Sequence, residues 1–405
     1  MTNFEIHSRS RLAGYDPGKL AAARVTIVGL GALGQNLLQT LALSGVGRFL
    51  LIDYDSFEDH NATRSPFFPT AAEASLLGNH KAPTVAHRAL AASTASSPQV
   101  MYLNDTAQRC GDRIIRWADV VVAAVDSVSA RAWLAERARL HGKPLVEGGF
   151  FGPEFNFSAF SAAAGTGCYR CFNPAKVSSA SCTQYAMNAE RQNIVPAIQA
   201  TAAVLGGLMA EQVINIIHDT ESGYGIRYYG NTRRPGMHSA LLRPDPQCPG
   251  EHDPLPVRAL AKETRKLRTV GDLLAAARVH EKKGWLAPAE PIVLTAGCTV
   301  CAAKCLARTA ESSWMINPRC VDCGGPWPRS ETPTPGLVSV LDLEAEPDDQ
   351  TSLVELAELG LGPGGCVLVD PGNEPPYLLE MPGRHRFAKA SHLAGKATEP
   401  LPASS

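Results

Sequence analysis

A glycine-rich turn near the amino terminus constrains the fold of this chain more than any other feature. The segment Val25-Thr-Ile-Val-Gly29-Leu-Gly31-Ala-Leu-Gly34 has the form G-x-G-x-x-G, follows a predicted strand and opens a predicted helix. Glycines let the backbone approach a phosphate closely, and the first N–H groups of the helix can bind it. Asp53, nineteen residues after Gly34, ends the next strand and can accept hydrogen bonds from a ribose. The pattern predicts a nucleotide-binding α/β domain. The alternative is that the glycines only form a tight strand-to-helix turn and bind no nucleotide.

Short apolar runs alternate with helix-period segments from Arg24 to about Gly149, which is typical of a parallel sheet with crossover helices. The predicted strands are Val25–Val28, Phe49–Asp53, Val100–Leu103, Val120–Val125 and Pro144–Val146. The predicted helices are Leu33–Ser44, Lys81–Ala92, Ser129–His141 and a long apolar helix at about 194–217. Further strands are predicted at Phe155–Ala159, Gly225–Tyr229 and Met237–Leu242. We therefore expect a Rossmann-like, doubly wound α/β sheet.

The length of the chain indicates more than one domain. A total of 405 residues is enough for two or three domains, and a cluster of prolines after Arg243 marks a boundary. We predict a first domain over residues 1–253, a smaller α+β module over 254–390 and a disordered tail over 391–405. Within the module, the basic segment between Arg258 and Lys283 is predicted to be helical, and Cys366–Pro371 is predicted to be β-like.

Composition excludes several classes of partner and location. The chain has 38 Lys and Arg against 39 Asp and Glu, so its net charge of −1 does not favour nucleic acid or an anionic membrane. The apolar stretch Ile194–Ile217 is interrupted by four polar or charged residues, which predicts a core helix and no membrane span. Met1–Ser10 lacks the apolar run of a secretory signal. We therefore expect a cytoplasmic protein whose 11 cysteines are thiols or metal ligands.

Charged and polar residues after the second predicted strand favour ATP over NAD. Asn61 and Arg64 follow Asp53 by eight and eleven residues, Lys81 opens a predicted helix, and Asp126 ends the fourth predicted strand. Arg64 and Lys81 can neutralise phosphate charge in a transition state, and a carboxylate at the end of a strand is well placed for Mg²⁺. Each residue alone is an ordinary surface charge. Together, at one sheet edge, they predict ATP and Mg²⁺ as ligands.

These motifs resemble those of the ThiF/MoeB/HesA family, prokaryotic relatives of the ubiquitin-activating enzymes. The resemblance covers about residues 5–252. It rests on Arg11, Gly29-Leu-Gly31-Ala-Leu-Gly34, Asp53-Tyr-Asp55, Asn61, Arg64, Lys81, Asp126-Ser127 with Arg131, Cys168-Tyr-Arg-Cys171 and Ser181-Cys182. The sequence departs from the family in having Ser127 where Asn is common and in lacking a cysteine near Val195–Ile198. The resemblance implies adenylation, with ATP and Mg²⁺, of the C-terminal glycine carboxylate of a ubiquitin-like or sulfur-carrier protein.

The resemblance also implies roles for individual residues. Asp53 would hold the ribose, Asn61, Arg64 and Lys81 the phosphates, and Asp126 the metal. The remaining nucleotide-binding residues would be Asp55, Gly29, Gly31, Gly34 and Arg11. Of these, Arg11 would reach the ATP of a second subunit in a homodimer. Cys182 lies in a region that supplies a thiolate nucleophile in some members, so it could attack the acyl-adenylate. The alternative for Cys182 is an incidental loop cysteine.

Four cysteines in the predicted module have the spacing of zinc ligands. Cys298-x2-Cys301 and Cys320-x2-Cys323 are separated by 18 residues, as in many structural zinc sites. Cys305 could replace Cys298 or Cys301 as a ligand. The alternative is a set of free thiols in loops.

A second cysteine pair lies in the first domain. Cys168-x2-Cys171 needs distant partners, and Cys248-x3-His252 offers one thiol and one imidazole. These four residues predict a Cys₃His zinc site. The alternative is that His252 is a surface histidine and that the site is incomplete.

Three functional hypotheses stay open at this point. The first is an enzyme that adenylates a carrier protein or the C-terminus of a ribosomal peptide. In this hypothesis the second module docks an acceptor of the activated carrier, such as a conjugating enzyme, or only stabilises the chain. The second is a non-catalytic scaffold subunit, against which Arg64, Lys81 and Asp126 argue. The third is an NAD-dependent oxidoreductase, which would need a proton-relay residue that the sequence does not reveal.

Overall fold

The computed structural model divides the chain into two compact units. It describes residues 6–162, 165–172, 196–220, 223–234, 236–248, 250, 252–260, 267–279, 281–297, 304–310, 323, 337–345, 349–383 and 386–393. The first unit contains residues up to Asp105, Ile114–Pro254 and the segment from Phe387 onward, and the second contains Thr106–Arg113 and Leu255–Arg386. The predicted limits were 1–253 and 254–390. The observed division differs from them because Thr106–Arg113 belongs to the second unit and the segment from Phe387 onward belongs to the first. Of the predicted tail, residues 391–393 form a helical turn and the rest lie outside the described residues.

Strands and helices are numbered separately in chain order. The strands are β1 Arg24–Val28, β2 Arg48–Ile52, β3 Gln99–Leu103, β4 Val120–Ala123, β5 Leu145–Phe151, β6 Glu154–Phe160, β7 Ile226–Asn231, β8 Met237–Leu241, β9 Val257–Ala259, β10 Trp285–Ala287, β11 Ile292–Gly297, β12 Lys304–Ala310, β13 Leu337–Val338, β14 Leu341–Asp342, β15 Cys366–Asp370, β16 Tyr377–Glu380 and β17 Ala388–Lys389. The helices are α1 Ser8–Leu12, α2 Pro17–Ala22, α3 Ala32–Leu43, α4 Ala71–Leu77, α5 Lys81–Ala92, α6 Ala107–Cys110, α7 Arg113–Trp117, α8 Val128–Leu140, α9 Tyr169–Phe172, α10 Gln199–His218, α11 Val270–Ala277 and α12 Asp349–Ser352. Short 3₁₀ helices span Asp59–Asn61 and Leu356–Leu359.

A nine-stranded mixed sheet forms the centre of the first unit. Its strand order is β17-β3-β2-β1-β4-β5-β6-β7-β8. The five strands from β3 to β5 are mutually parallel, whereas β6, β7, β8 and β17 pair antiparallel with their neighbours. The predicted doubly wound sheet is therefore confirmed for the parallel part, and antiparallel strands extend it on both sides. The central strands β1, β2 and β4 are buried over nearly all of their residues, as is typical of a parallel sheet whose two faces are covered.

Most predicted elements of the first unit begin and end within one or two residues of the observed ones. One of the two largest differences is at β5, predicted to end at Val146 and observed to continue to Phe151. Glu147 and two glycines interrupt the apolar pattern there, but Glu147 is fully buried and forms ion pairs with Arg131 and Arg227. The ion pairs offset the cost of burying the carboxylate, so the strand continues through it.

Helix α10 packs along α3 in the core of the first unit. It has the length and mean hydropathy of a membrane span, 1.5 over 18 residues, of which half are buried. Leu205, Met209 and Val213 are fully buried in the same core as β1 and β2. Residues 196–198 of the predicted helix are not helical, and 194–195 lie outside the described residues. The helix serves as a core element of this unit, as the sequence predicts.

The second unit contains two small antiparallel-rich sheets. The larger has the order β14-β10-β15-β16-β9, and the smaller has the order β12-β11-β13. The predicted helix between Arg258 and Lys283 is wrong at its start, because Arg258 lies in β9, which pairs with β16. The described helix there is α11, which begins where Thr269 and Asp272 form a capping box. The α+β class of this unit is as predicted.

Candidate functional site

Two glycines of the β1–α3 turn are required by its geometry. Gly29 has a φ of +90°, and a Cβ atom there would lie 2.5 Å from the carbonyl oxygen of Ala124. A Cβ atom at Gly34 would lie 1.9 Å from the carbonyl oxygen of Gly29. Side chains at these two positions would therefore force the turn apart, since real contacts are never this short.

Gly31 differs from Gly29 and Gly34 because no described residue fills the space beside it. It is the N-cap residue of α3, no side chain caps the helix, and its first turn has no acidic residue. A Cβ atom at Gly31 would meet no heavy atom within 4 Å. The first N–H groups of a helix need acceptors, and a phosphate placed over this open space would supply them. The glycine at this position leaves room for a ligand and is not needed for internal packing.

Asp53 connects the end of β2 to this turn. Its Oδ2 accepts from the Leu30 N–H at 2.6 Å, and its Oδ1 accepts from the Asp55 N–H at 2.8 Å. Burial raises the pKa of Asp53, while Lys81 and the two N–H donors act in the opposite direction. A carboxylate has about four acceptor positions, so the predicted contact with a ribose remains compatible with these two bonds. Asp53 thus also fixes the shape of the turn.

Lys81 and Asp55 form an ion pair beside Asp53. The Lys81 Nζ lies 2.9 Å from the Asp55 Oδ2, and the Lys81 N–H donates to the Asp55 carbonyl oxygen at 2.9 Å. The Lys81 side chain is mostly buried, whereas that of Asp55 is about half exposed. Burial, followed by the charges of Asp55, Asp126 and Asp53, raises the pKa of Tyr54 to about 12. Asp53, Asp55 and Lys81 therefore lie close together at the end of β2.

Asn61 and Arg64 lie on the segment that follows β2. Asn61 ends the 3₁₀ helix and accepts from the Glu58 N–H at 3.1 Å, so part of its amide is already used. The Arg64 guanidinium donates from Nη1 to the His60 carbonyl oxygen at 2.7 Å. Both predicted phosphate ligands are thus positioned by local contacts.

Asp126 lies three residues beyond the end of β4 and is exposed. Strand β4 is parallel to β1, so their carboxyl ends share one edge of the sheet. Ligands of open α/β sheets bind at this edge. The edge therefore carries the glycine turn, Asp53 and Asp126.

Arg11 lies on α1, a short helix with no buried residue. The chain after it is fixed to α10, where the Tyr15 hydroxyl donates to Glu211 and the Asp16 N–H donates to the His218 Nε2 at 2.7 Å. The predicted role of Arg11 in the nucleotide site of a second subunit remains a prediction.

The structure brings together the four predicted ligands of the first metal site. The ligand atoms of Cys168, Cys171, Cys248 and His252 all lie within 4.8 Å of one another, so these residues could hold a metal ion. The Cys168 sulfur is 3.7 Å from that of Cys171 and 3.6 Å from that of Cys248, and the Cys171 sulfur is 3.2 Å from the His252 Nε2. Burial raises the pKa of the Cys168 thiol to about 12 in the absence of a cation. The thiolate form therefore needs a positive partner.

Most of the other predicted cysteines fall outside the described residues. These are Cys182, Cys298, Cys301 and Cys320, whereas Cys323 is described and exposed. The nucleophilic role of Cys182 and the second zinc site therefore stay predictions.

Sequence reasoning missed Gln35, which joins the glycine turn to the Arg64 segment. Gln35 is fully buried, donates to the Leu30 carbonyl oxygen at 2.7 Å and accepts from the Phe67 N–H at 3.0 Å. Its Nε2 also lies 3.4 Å from the Ser65 hydroxyl oxygen. A polar residue on the buried face of α3 was the available signal, because buried amides need partners.

The family of the chain follows from its match to known proteins. The ThiF family profile matches residues 10–250, more than half of the chain. The chain therefore belongs to the ThiF family, as the resemblance in the sequence predicts. The matched segment contains the parallel sheet, the glycine turn and the three cysteines of the first metal site, and His252 lies two residues beyond it.

Several characterised proteins are similar to this chain over the same region. The adenylyltransferase and sulfurtransferase MOCS3 of Bos taurus is 31% identical over 212 residues, which are 52% of this chain and 43% of that protein. The sulfur carrier protein adenylyltransferase of Thermus thermophilus is 27% identical over 238 residues, 57% of this chain and 83% of that protein. The crystal structure of E. coli MccB matches with a TM-score of 0.51 and 22% identity, covering 62% of this chain and 73% of MccB, which shows a common fold. The chain spans less than half the length of the MOCS3 relatives.

Proposed function

We propose that this chain is an adenylyltransferase that activates the C-terminal carboxylate of a ubiquitin-like or sulfur-carrier protein. The observation that carries the proposal is the uncapped start of α3 with open space at Gly31, on the same sheet edge as the Asp55–Lys81 ion pair and Asp126. The names of the MOCS3 and Thermus relatives support the reaction class. ATP fits this edge because a free helix N-terminus, a lysine and an arginine suit a polyphosphate.

The reaction needs charge neutralisation and positioning, and it needs no general base. A C-terminal carboxylate is ionised at neutral pH, so its oxygen can attack the α-phosphorus of ATP while the bond to the leaving pyrophosphate breaks. Lys81 and Arg64 would hold the phosphates as their charge shifts, and the turn at Gly31 would align them. Asp126, with Asp55 nearby, would hold Mg²⁺, which when bound neutralises phosphate charge.

We propose Zn²⁺ as the metal of the Cys/His site. Tetrahedral zinc with bonds of about 2.3 Å to sulfur places two sulfur ligands about 3.7 to 3.8 Å apart. The sulfur separations of 3.7 and 3.6 Å fit this geometry, and three thiols with one imidazole form a common structural zinc set. The donor set closes all four positions, so a structural role fits better than a catalytic one.

The assembly of the protein belongs to the same proposal. A homodimer would allow Arg11 of one subunit to reach the nucleotide of the other, and the second unit would dock an acceptor of the activated carrier, such as a conjugating enzyme. A cytoplasmic location agrees with thiols that stay reduced for metal binding.

The proposed function is tested by ATP–pyrophosphate exchange. Purified protein is mixed with small carrier proteins that end in Gly-Gly and with synthetic peptides that have a free C-terminus. We expect exchange that requires one of these substrates and its free carboxylate, with loss of exchange when the terminus is amidated. ATP binding without exchange on any substrate would support the scaffold hypothesis instead.

Zinc analysis tests the metal site independently of activity. Replacing Cys168 and Cys171 by serine should remove about one zinc per chain, because two of four ligands are lost. Cys110→Ala serves as the control, since Cys110 is buried outside the ligand set and should leave the zinc content unchanged. Equal zinc in the double variant and the wild type would exclude this site.

A further inference from the structure

The two ligand pairs of the Cys/His site lie on segments that are far apart in the sequence. Cys171 and His252 are separated by 81 positions, although the Cys171 sulfur is 3.2 Å from the His252 Nε2. Bringing such distant segments together lowers the conformational entropy of the chain, and this loss weakens metal binding unless other contacts already hold the segments. Zinc affinity therefore depends on what joins the two segments in the metal-free protein.

Arg139, the last but one residue of α8, contacts both segments. Its Nε donates to the His252 carbonyl oxygen at 2.7 Å, and its Nη2 donates to the Thr166 carbonyl oxygen at 2.9 Å. Thr166 lies two residues before Cys168, so one guanidinium joins the flank of the first ligand pair to the last ligand of the second pair. Arg139 is 6% exposed. A buried, planar guanidinium holds two acceptors in a fixed relative position, and its charge strengthens both hydrogen bonds.

Two backbone donors join the same segments beside the guanidinium. The Gly167 N–H donates to the Leu242 carbonyl oxygen at 3.4 Å, and the Asp245 N–H donates to the Cys171 sulfur at 3.3 Å. The first of these bonds is long for an N–H···O contact, and the second ends on a weak acceptor. They fit two segments that are held together by the stronger bonds of Arg139.

A second side chain of α8 reaches the first ligand pair. Glu136, three residues before Arg139, forms an ion pair with Arg170, which lies between the two cysteines of that pair. The side chains of Arg170 and Glu136 are 45% and 33% exposed. Because exposed ion pairs contribute little, this contact is a natural comparison for the buried one. Helix α8 itself packs against β4 and β5, so Arg139 projects from an element fixed to the sheet.

We infer that Arg139 is a positioning residue of the Cys/His site, which holds the two ligand segments together before the metal binds. The inference rests on the zinc proposed above only for its effect on metal affinity. Its structural part concerns the metal-free protein. A ligand set that is already assembled binds the metal more tightly, because the chain loses less entropy on binding. Without Arg139 the same four ligands are present, but the metal has to assemble them.

Zinc affinity, measured by competition with a chromophoric chelator, tests the effect of Arg139 on the metal. Arg139→Lys keeps the positive charge, but a single ammonium cannot reproduce a fork that donates to two carbonyl oxygens. We expect the zinc dissociation constant to rise about 10- to 100-fold, as for other residues that orient metal ligands. Wild-type affinity in a folded Arg139→Lys protein would overturn the inference.

Glu136→Gln is the matched control. It removes the exposed ion pair with Arg170 from the same helix, and it leaves the two carbonyl contacts of Arg139 in place. We expect the zinc dissociation constant to change by less than about threefold. A loss of affinity as large in Glu136→Gln as in Arg139→Lys would assign the effect to the general packing of α8 and would contradict the inference.

Hydrogen–deuterium exchange in the metal-free wild type tests the structural part without any substitution. The amides of Gly167 and Asp245 donate across the two segments, so they report whether the segments stay together. We expect removal of zinc to raise their exchange rates by less than about tenfold. Exchange at the rate of an unfolded chain would show that the metal assembles the segments, and it would overturn the inference even if Arg139→Lys does not fold.

The outcomes separate this inference from the proposals on which the site was assigned. Slow exchange at Gly167 and Asp245 in a protein that binds no zinc would retain the role of Arg139 in holding the segments and would remove the proposed metal. Neither measurement uses ATP or a carrier protein. A protein that adenylates nothing but shows the expected change in zinc affinity would therefore lose the proposed reaction and keep this inference.

Discussion

Asp126→Ala is expected to abolish ATP–pyrophosphate exchange, with a loss of about 10³-fold, and to leave the fold intact. The side chain is exposed at the carboxyl edge of the sheet and contributes nothing to the core. If Asp126 holds Mg²⁺ as proposed, removing its carboxylate takes away charge neutralisation where the phosphates would react. Exchange activity and the thermal unfolding of the same preparation are the two measurements.

Glu154→Ala is the control for this variant. Glu154 is an exposed carboxylate at the start of β6, two strands from β4 in the same sheet. The control should keep wild-type exchange. Undiminished exchange in a folded Asp126→Ala protein would place the metal elsewhere.

Gly34→Ala and Gly31→Ala are expected to have opposite effects on folding and binding. At Gly34 the added methyl group would overlap the Gly29 carbonyl oxygen, so we expect a loss of about 3 kcal/mol or more of unfolding free energy. At Gly31 the methyl group enters open space and the φ of −73° suits alanine, so the unfolding free energy should change by less than about 1 kcal/mol.

Measurements of ATP binding distinguish the packing role of Gly34 from the proposed ligand-binding role of Gly31. Gly31→Ala should bind ATP at least about tenfold more weakly, because the methyl group occupies the space where a phosphate would meet the helix N-terminus. Chemical denaturation measures stability, and equilibrium dialysis with labelled ATP measures binding. Wild-type affinity in Gly31→Ala would show that the phosphates do not approach this turn.

Local patterns in the sequence were sufficient to predict the β1–α3–β2 part of the fold. Apolar runs bounded by glycines define β1 and β2, and Lys81–Ala92 was predicted with the observed limits because its apolar period is helical throughout. Cysteine and histidine spacing, together with the family resemblance, which places a second ligand pair late in the domain, was enough to select the four residues that gather at the metal site. In each case the determining contacts either join residues that are close together in the sequence or follow from the chemistry of the residue type.

Features that depend on distant contacts could not be predicted in this way. The continuation of β5 through Glu147 requires Arg131 and Arg227, which lie on other elements. The two backbone bonds of Asp53 depend on how the glycine turn closes. A single sequence carries no local signal for either, because the same residues would be solvated charges if the strands were arranged differently.

The exchange of segments between the two units determines the order in which the chain can fold. A chain synthesised from its amino terminus completes β3 long before β17 exists, although Ala388 pairs with Tyr102 at the edge of the first sheet. That edge is left open during synthesis, and an open strand edge can pair with another chain. Thr106–Arg113 is likewise made early, while the rest of its unit is made late. Neither unit can therefore complete its fold as an independent domain until the chain has been synthesised as far as Arg386.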